Sequence, residues 1–228
     1  MKTKHIRAAS LIVATLAAAV LVTACKTAGY KQADKTGAGI ASFRDEIVKC
    51  KQAVDSTLTS LNKIALSANT DPRPAYDDYV KQVANLESQS AKVRKTGQQM
   101  RERGAAYFTQ WEQQLATVKD EDIRELAAER KAKLQESFDK IREYTEPLKE
   151  KFDPWMASLK DLQSYLANDL TIKGISAAKK PFAKAKSQGT EVQKAMDGLV
   201  EELNELGATL TPAKVVPPPA GEAAPAKK

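Results

Sequence analysis

The chain holds few of the side chains that enzymes use as nucleophiles and general bases. Its 228 residues include one histidine, His5, and two cysteines, Cys25 and Cys50. Ser–His and Cys–His catalysis, and zinc sites that contain histidine, need a histidine beside the reacting group. His5 lies in an N-terminal segment that we expect to be removed (see below), and no Gly-rich phosphate loop is present. We therefore expect no catalytic residue, no cofactor, no metal site and no enzymatic activity.

Two adjacent acidic pairs, Asp77-Asp78 and Glu201-Glu202, are the next candidates for acid–base chemistry or cation binding. Neighbouring residues of a helix point about 100° apart, so the members of each pair diverge rather than converge. This favours solvated helix surface over a site. Four lysines that spread around a predicted helix favour the same interpretation over lipid-phosphate binding: Lys179, Lys180, Lys184 and Lys186.

Cys50 falls at an apolar position of the first predicted helix. A free cysteine is among the most buried residue types, so a buried thiol is favoured. The alternative is an intermolecular disulfide in an oxidising compartment. A Cys25–Cys50 disulfide becomes a third option only if Cys25 is not modified.

The N-terminus has the anatomy of an export signal. Lys2, Lys4 and Arg7 precede an uncharged apolar stretch, residues 8–24, that ends directly before Cys25. The sequence Val-Thr-Ala-Cys at positions 22–25 resembles the box of bacterial lipoprotein signals. This resemblance implies that residues 1–24 are removed and that Cys25 is the lipid attachment site. A short membrane anchor that is never cut is the alternative.

By the same resemblance, the residue after the lipidated cysteine bears on location. An Asp there favours retention at the inner membrane of a two-membrane cell. Lys26 occupies this position, which predicts an outer membrane lipoprotein facing the periplasm. The expected partners are the membrane, through Cys25, and a protein or cell-wall component. A formal charge of +7, partly carried by the signal, is too mild and dispersed to indicate nucleic acid.

The rest of the chain predicts long helices and no strand. Apolar and small residues recur three and four positions apart, with charged residues between them. We expect a tether over residues 25–37 and a bundle over 38–210, with helices at about 38–69, 74–119, 120–168 and 180–210. Pro147 should kink the third helix, which could restart at Asp153-Pro154. The Pro-, Ala- and Lys-rich residues 211–228 should form a disordered, passive tail.

Four long helices with short turns predict an elongated antiparallel four-helix bundle, or coiled-coil rod. The seam of the second helix contains Gly97 and Gly104, and the last helix contains Gly189. We expect these two helices to pack tightly at the glycines or to leave a narrow cavity there. An aromatic group on the second helix, Tyr107, Phe108 and Trp111, with Trp155 on the third, favours core packing over a ligand site.

Several short motifs add a family resemblance. They are the lipoprotein-type cysteine, the segment from Arg101 to Glu112, residues 144–148 and the segment from Tyr165 to Leu170. In this order they resemble an uncharacterised bacterial family of exported, all-helical proteins that carry a domain of unknown function. The resemblance implies export and helical architecture, and it assigns no activity.

These observations favour a non-enzymatic, lipid-anchored envelope protein that acts as a helical structural or protein-interaction module. Two alternatives remain. One is a membrane-active bundle whose amphipathic helices open and insert. The other is a periplasmic chaperone or carrier that binds apolar ligands between its helices.

Overall fold

The computed structural model describes residues 28–67 and 70–210, and within these ranges it contains helices and no strand. The helices of these ranges are α1 (Ala28–Leu66), α2 (Arg73–Leu115), α3 (Glu121–Asn168), α4 (Ile172–Ala177) and α5 (Lys179–Leu210). The predicted all-α class is therefore confirmed. The expected signal peptide and the expected disordered tail lie outside the described residues.

Four long helices form an antiparallel bundle in which the neighbours around the core are α2, α1, α5 and α3 in that order. The closest pair is α1 and α2; α5 packs on α1 and on α3, and α3 closes the ring against α2. The longest helix, α3, has 48 residues, which corresponds to about 70 Å at 1.5 Å per residue. The predicted elongated bundle is correct, and the short helix α4 is an addition to it.

The first helix begins at Ala28 rather than near Ala38, so most of the expected tether is helical. The reason is that this part of α1 has its own buried face against the end of α2. Thr36 is buried, and its hydroxyl donates a 2.8 Å hydrogen bond to the Gln32 carbonyl while lying 3.5 Å from the Arg103 carbonyl oxygen. Small residues that suggested a tether in the sequence serve here to bring two helix backbones together.

The glycines of α2 do not face α5, because these two helices occupy opposite corners of the bundle. Each glycine instead makes room for an aromatic ring from a neighbouring helix. A β-carbon at Gly97 would lie 2.9 Å from Cε2 of Phe43 on α1, and one at Gly104 would lie 2.6 Å from Cε1 of Phe138 on α3. The predicted tight packing of α2 on α5 is wrong, and phenylalanine rings occupy the space of the alternative cavity.

On α5, Gly189 makes room for two other side chains from neighbouring helices. A β-carbon there would lie 2.7 Å from Cδ2 of Leu58 and 2.9 Å from Cζ2 of Trp155. The Trp155 ring is fully buried, and its Nε1–H donates a 2.8 Å hydrogen bond to the Ala185 carbonyl. α5 continues through Gly189 as one helix, as the spacing of its apolar residues predicts.

The third helix runs without a break through Pro147 and Pro154, so the predicted restart at Asp153-Pro154 does not occur. A proline inside a helix removes one backbone hydrogen bond. Both prolines lie on the exposed face, where water can bond to the carbonyls left without a partner. On the opposite face a continuous apolar surface holds the helix in the bundle: Leu148, Phe152, Trp155, Leu159, Leu162 and Leu166 are buried.

The reversal between α3 and α5 contains α4 and depends on one glycine. The Thr171 hydroxyl caps α4 by accepting a 3.1 Å hydrogen bond from the Gly174 N–H. A β-carbon at Gly174 would lie 2.4 Å from the Asp169 carbonyl oxygen, so another residue would displace backbone. Gly174 therefore permits a tight helical turn between the two long helices. Pro181 lies in the first turn of α5, where a proline is tolerated.

Candidate interaction surfaces at the two ends of the bundle

At the end of the bundle where the described chain begins, the last helix stops before its neighbours do. The Arg130 guanidinium donates a 3.2 Å hydrogen bond to the Thr209 carbonyl, so α5 ends beside Arg130 of α3. α3 begins at Glu121 and α1 begins at Ala28, both beyond that level. At 1.5 Å per residue, about 15 Å of the other three helices extends past α5. The core therefore opens at this end, which we call the open end.

The open end exposes part of the α2 seam. From Tyr79 to Gly104 the seam residues are mostly buried, but Tyr107 and Trp111 are only half-buried. Their rings meet edge to face with centroids 5.5 Å apart, and Phe108 packs on Phe138 at 5.3 Å. Burial raises the pKa of the Tyr107 phenol, so this group is neutral at physiological pH. All three aromatic side chains are partly buried and pack against the core, as predicted, and Tyr107 and Trp111 also line an open groove.

The groove has a volume of about 340 Å³, at the lower end of the range for ligand pockets. Residues of α1, α2, α3 and the α2–α3 connection line it: Gly29, Tyr30, Ala33, Tyr107, Gln110, Trp111, Gln114, Leu115, Val118 and Ala127. Beside it, Tyr30 is 58% exposed, Ile123 54% and Leu126 68%. Exposed apolar side chains near a groove are a common feature of binding sites.

Charged side chains at the open end are largely bonded to, or paired with, neighbouring groups at the same end. Asp120 caps α3 by accepting a 3.1 Å hydrogen bond from the Ile123 N–H. Glu121 pairs with Arg124 in the first turn. A larger ligand would therefore be recognised here by apolar and aromatic contact rather than by net charge.

The opposite end of the bundle, which we call the far end, carries a second apolar surface. Leu66 at the end of α1 is 75% exposed, and Ile172 on α4 is also largely exposed. α4 packs against both α1 and α5. Tyr165 is partly exposed there and donates a 3.0 Å hydrogen bond from its hydroxyl to the Gly174 carbonyl, which holds α4 in place. The far end is thus an ordered surface with exposed aliphatic side chains.

The predicted lipid attachment site, Cys25, lies outside the described residues, three positions before the start of α1 at Ala28. Cys50 is a free thiol buried in the core, as predicted. Burial raises the pKa of the Cys50 thiol to about 12. A thiol that is neutral and enclosed is neither a nucleophile nor a ready disulfide partner.

The acidic pairs do not form a site. Asp77 points to solvent, while Asp78 accepts a 3.0 Å ion-pair contact from Lys63 on α1. The Lys63 ammonium holds the pKa of the Asp78 carboxyl below its ordinary value. Glu201 is exposed, and Glu202 lies beside the Tyr144 hydroxyl, whose pKa it raises. Within residues 28–67 and 70–210, no group of His, Cys, Asp and Glu is arranged to hold a metal ion.

The four lysines at the start of α5 are all exposed and unclustered, as predicted: Lys179, Lys180, Lys184 and Lys186. Among the described helices, none is long and apolar enough to cross a membrane. Trp155, which the sequence grouped with the aromatic residues of α2, lies instead beside Phe152 with ring centroids 5.9 Å apart.

Sequence reasoning missed both end surfaces. The open end had a signal, because the apolar spacing of the second predicted helix continues to Val118 whereas that of the last helix stops at Leu210. Comparing the lengths of the four seams would have shown that one partner is too short. The far end had no comparable signal, since exposed Leu66 and Ile172 look in the sequence like ordinary members of helical patterns.

The described residues form an antiparallel bundle of four long helices, with an apolar groove at one end and an apolar surface at the other. They define an all-helical protein, and no catalytic constellation is recognisable among them. The chain belongs to the family described as "Protein of unknown function (DUF2959)", whose model matches residues 22–210. The match begins within the Val-Thr-Ala-Cys box and ends with the last residue of α5. Membership of an uncharacterised family, predicted from the motifs, is confirmed. No curated protein and no solved structure matches the chain.

Proposed function

We propose that the protein is a non-enzymatic, lipid-anchored envelope protein whose bundle acts as a structural or protein-interaction module. The observation that carries this proposal is the Val-Thr-Ala-Cys box at residues 22–25, after a basic start and an uncharged apolar stretch. Because the first described helix begins three residues after Cys25, an anchor there would hold the open end close to the membrane. Lys26 supports the outer membrane as the location.

The antiparallel bundle then separates the anchor from the far end by the length of α1. Its 39 residues correspond to about 58 Å. Leu66 and Ile172 are exposed on the far end, where a partner in the periplasm or cell wall would meet them. Apolar side chains at the centre of an interface supply much of its binding energy. We therefore assign partner binding to the far end.

Location is tested by fractionating cells that carry the wild type, Cys25→Ser or Lys26→Asp. The proposal predicts outer membrane protein for the wild type. Cys25→Ser should not be processed and should lose the lipidated form, and Lys26→Asp should shift the protein to the inner membrane. A Cys25→Ser protein with unchanged processing and unchanged membrane fraction would refute the anchor.

Partner binding is tested with a photo-crosslinking residue at Leu66 or at Ile172. The matched control carries the same residue at Lys140, an exposed position in the middle of α3. A defined crosslinked species from both far-end positions, and none from Lys140, is the expected result. No crosslink from any position in living cells would contradict an interaction module.

Two alternatives come from the sequence and have their own tests. A membrane-active bundle should release dye from liposomes. A carrier of apolar ligands should retain a copurifying lipid in native mass spectrometry. The space beside Gly97, Gly104 and Gly189 suggested room for such a ligand. The side chains of Phe43, Phe138, Leu58 and Trp155 fill that space.

A further inference from the structure

The groove at the open end is the direct continuation of the space that α5 fills along the rest of the bundle. Leu206 and Leu210 are buried at the end of α5, and the groove begins where this helix stops. Tyr107 and Trp111 continue the core-facing seam of α2 past that point, and Val118 follows in the α2–α3 connection. Whatever occupies the groove therefore replaces the missing turns of α5 as the fourth wall of the core.

The lining favours an extended chain over a helix. Two tyrosines and a tryptophan, Tyr30, Tyr107 and Trp111, present ring surfaces, and Gln110 and Gln114 present amide groups. Aromatic-lined grooves of this kind bind proline-rich segments, because the polyproline II helix is preformed and leaves its carbonyls free to accept hydrogen bonds. Gly29 and Ala33 on α1 have little or no side chain and allow such a backbone to approach closely.

The chain itself carries a segment of this type directly after α5. Residues 212–219 read Pro-Ala-Lys-Val-Val-Pro-Pro-Pro. We propose that the groove at the open end binds this segment, residues 212–219, in an extended conformation against Tyr30, Tyr107 and Trp111. This inference is independent of the lipid anchor and replaces the expectation of a passive tail.

The uncovered part of the bundle extends about 15 Å past α5, and Trp111 lies roughly 9 Å along it. A polyproline II segment rises about 3.1 Å per residue, so the residues from Pro212 to Val215 would span roughly 6–16 Å beyond Leu210. These residues would therefore lie along Tyr107, Trp111 and Tyr30, and residues 216–219 would lie at the tip of the bundle. Because the segment is covalently linked, its effective concentration at the groove is in the millimolar range, and weak contacts suffice.

A bilayer surface and a second copy of the chain are the other two candidate occupants. The tail is favoured over both because it follows directly on Leu210, where α5 ends at the edge of the groove. This covalent linkage raises the local concentration of the tail at the groove.

The test uses acrylamide quenching of tryptophan fluorescence in residues 26–228, which include every described helix. Trp155 is 0% exposed, so quenching reports on Trp111. Three proteins are compared: the 26–228 chain, a chain that ends at Thr211, and the 26–228 chain with Pro212, Ala213 and Val215 replaced by Gly. Ala223→Ser with Ala224→Ser is the matched control in the same tail. Circular dichroism verifies that each protein is folded.

Truncation should raise the quenching constant by roughly a factor of two, since the one accessible indole loses its cover. The triple glycine chain should behave like the truncated one, and the Ala223/Ala224 control should match the 26–228 chain. A synthetic peptide of residues 211–228 should restore protection to the truncated chain. If the truncated chain is unstable, the triple glycine chain gives the same answer at full length.

Equal quenching in all four proteins would overturn the proposal. It would also be overturned if protection of the truncated chain grew with protein concentration, which would indicate a second copy as the occupant. The last outcome concerns phosphatidylethanolamine–phosphatidylglycerol vesicles. If they protected Trp111 equally in the 26–228 and truncated chains, and the peptide had no effect, the occupant would be a bilayer and the proposal would be overturned.

Discussion

The indole ring of Trp155 on α3 packs so closely on Gly189 of α5 that a β-carbon at position 189 would lie 2.9 Å from its Cζ2 atom. The same ring donates a 2.8 Å hydrogen bond to the Ala185 carbonyl, one turn earlier in α5. The missing side chain thus lets a buried tryptophan satisfy its N–H on the backbone of the neighbouring helix. This contact fixes the lateral position of α3 on α5.

Replacing Gly189 by Ala should destabilise the bundle despite the better helix propensity of alanine. The new methyl group would overlap the rigid indole ring and Leu58, and overpacking of this kind lowers the free energy of unfolding by about 1–3 kcal/mol. Gly37→Ala is the matched control, because Gly37 is also helical and no atom lies within 4 Å of a β-carbon there. That change should raise stability by about 0.5–1 kcal/mol. Urea unfolding measures both; a stabilising Gly189→Ala would contradict the packing.

Tyr79→Phe should destabilise the bundle by about 1 kcal/mol. The Tyr79 hydroxyl is buried and donates a 2.7 Å hydrogen bond to the Leu159 carbonyl, which joins α2 to α3. Tyr30→Phe removes an exposed hydroxyl and serves as the control. The melting temperature should fall for Tyr79→Phe and stay constant for Tyr30→Phe. Equal melting temperatures in all three proteins would mean that the buried hydrogen bond contributes nothing.

Cys50 should resist thiol reagents as long as the bundle is folded. Raising the pKa of a thiol from 9.0 to about 12 lowers its thiolate fraction near neutral pH by about a factor of 10³, and the core also excludes the reagent. In a Cys25→Ser background Cys50 is the sole thiol. Labelling at pH 8 should be slow in buffer and fast in concentrated urea. Equal rates would show that the helix around Cys50 opens freely.

The same thiol should make stability depend on alkaline pH. Its folded pKa lies above its unfolded pKa, so the folded state favours the neutral form. Ionisation of this thiol leaves the free energy of unfolding unchanged below pH 9. As pH rises from about 9 to 12, it lowers the free energy of unfolding by up to about 1.4 kcal/mol per pH unit. Cys50→Ala should show a shallower decline in free energy of unfolding between pH 8 and pH 10.5. Identical slopes would contradict a buried neutral thiol.

The four long helices, their order and most of the core follow from the spacing of apolar residues. The buried seam of α5 is the predicted one, and so is that of α2 as far as Gly104. Periodicity identifies the inward face of a helix but not the neighbour that meets it. For this reason Gly97 and Gly104 were assigned to contacts with α5, although Phe43 and Phe138 of other helices occupy that space.

Local signals failed where tertiary packing outweighs them. A tether is predicted over residues 25–37, yet α1 begins at Ala28 and continues through Gly37 because Thr36 and Ile40 are buried. Pro154 suggested a new helix start, yet the buried faces of Phe152 and Trp155 hold α3 together across it. In both cases burial of the opposite face provides more free energy than the local residue costs.

The measurement that tests the account most directly is the intact mass of the protein purified from the membrane fraction. The account predicts a chain that begins at Cys25 and carries a diacyl or triacyl addition on that residue. The anchor would then lie three residues before α1, beside the open end. An unmodified protein that begins at Met1, or a cut at another position, would contradict it.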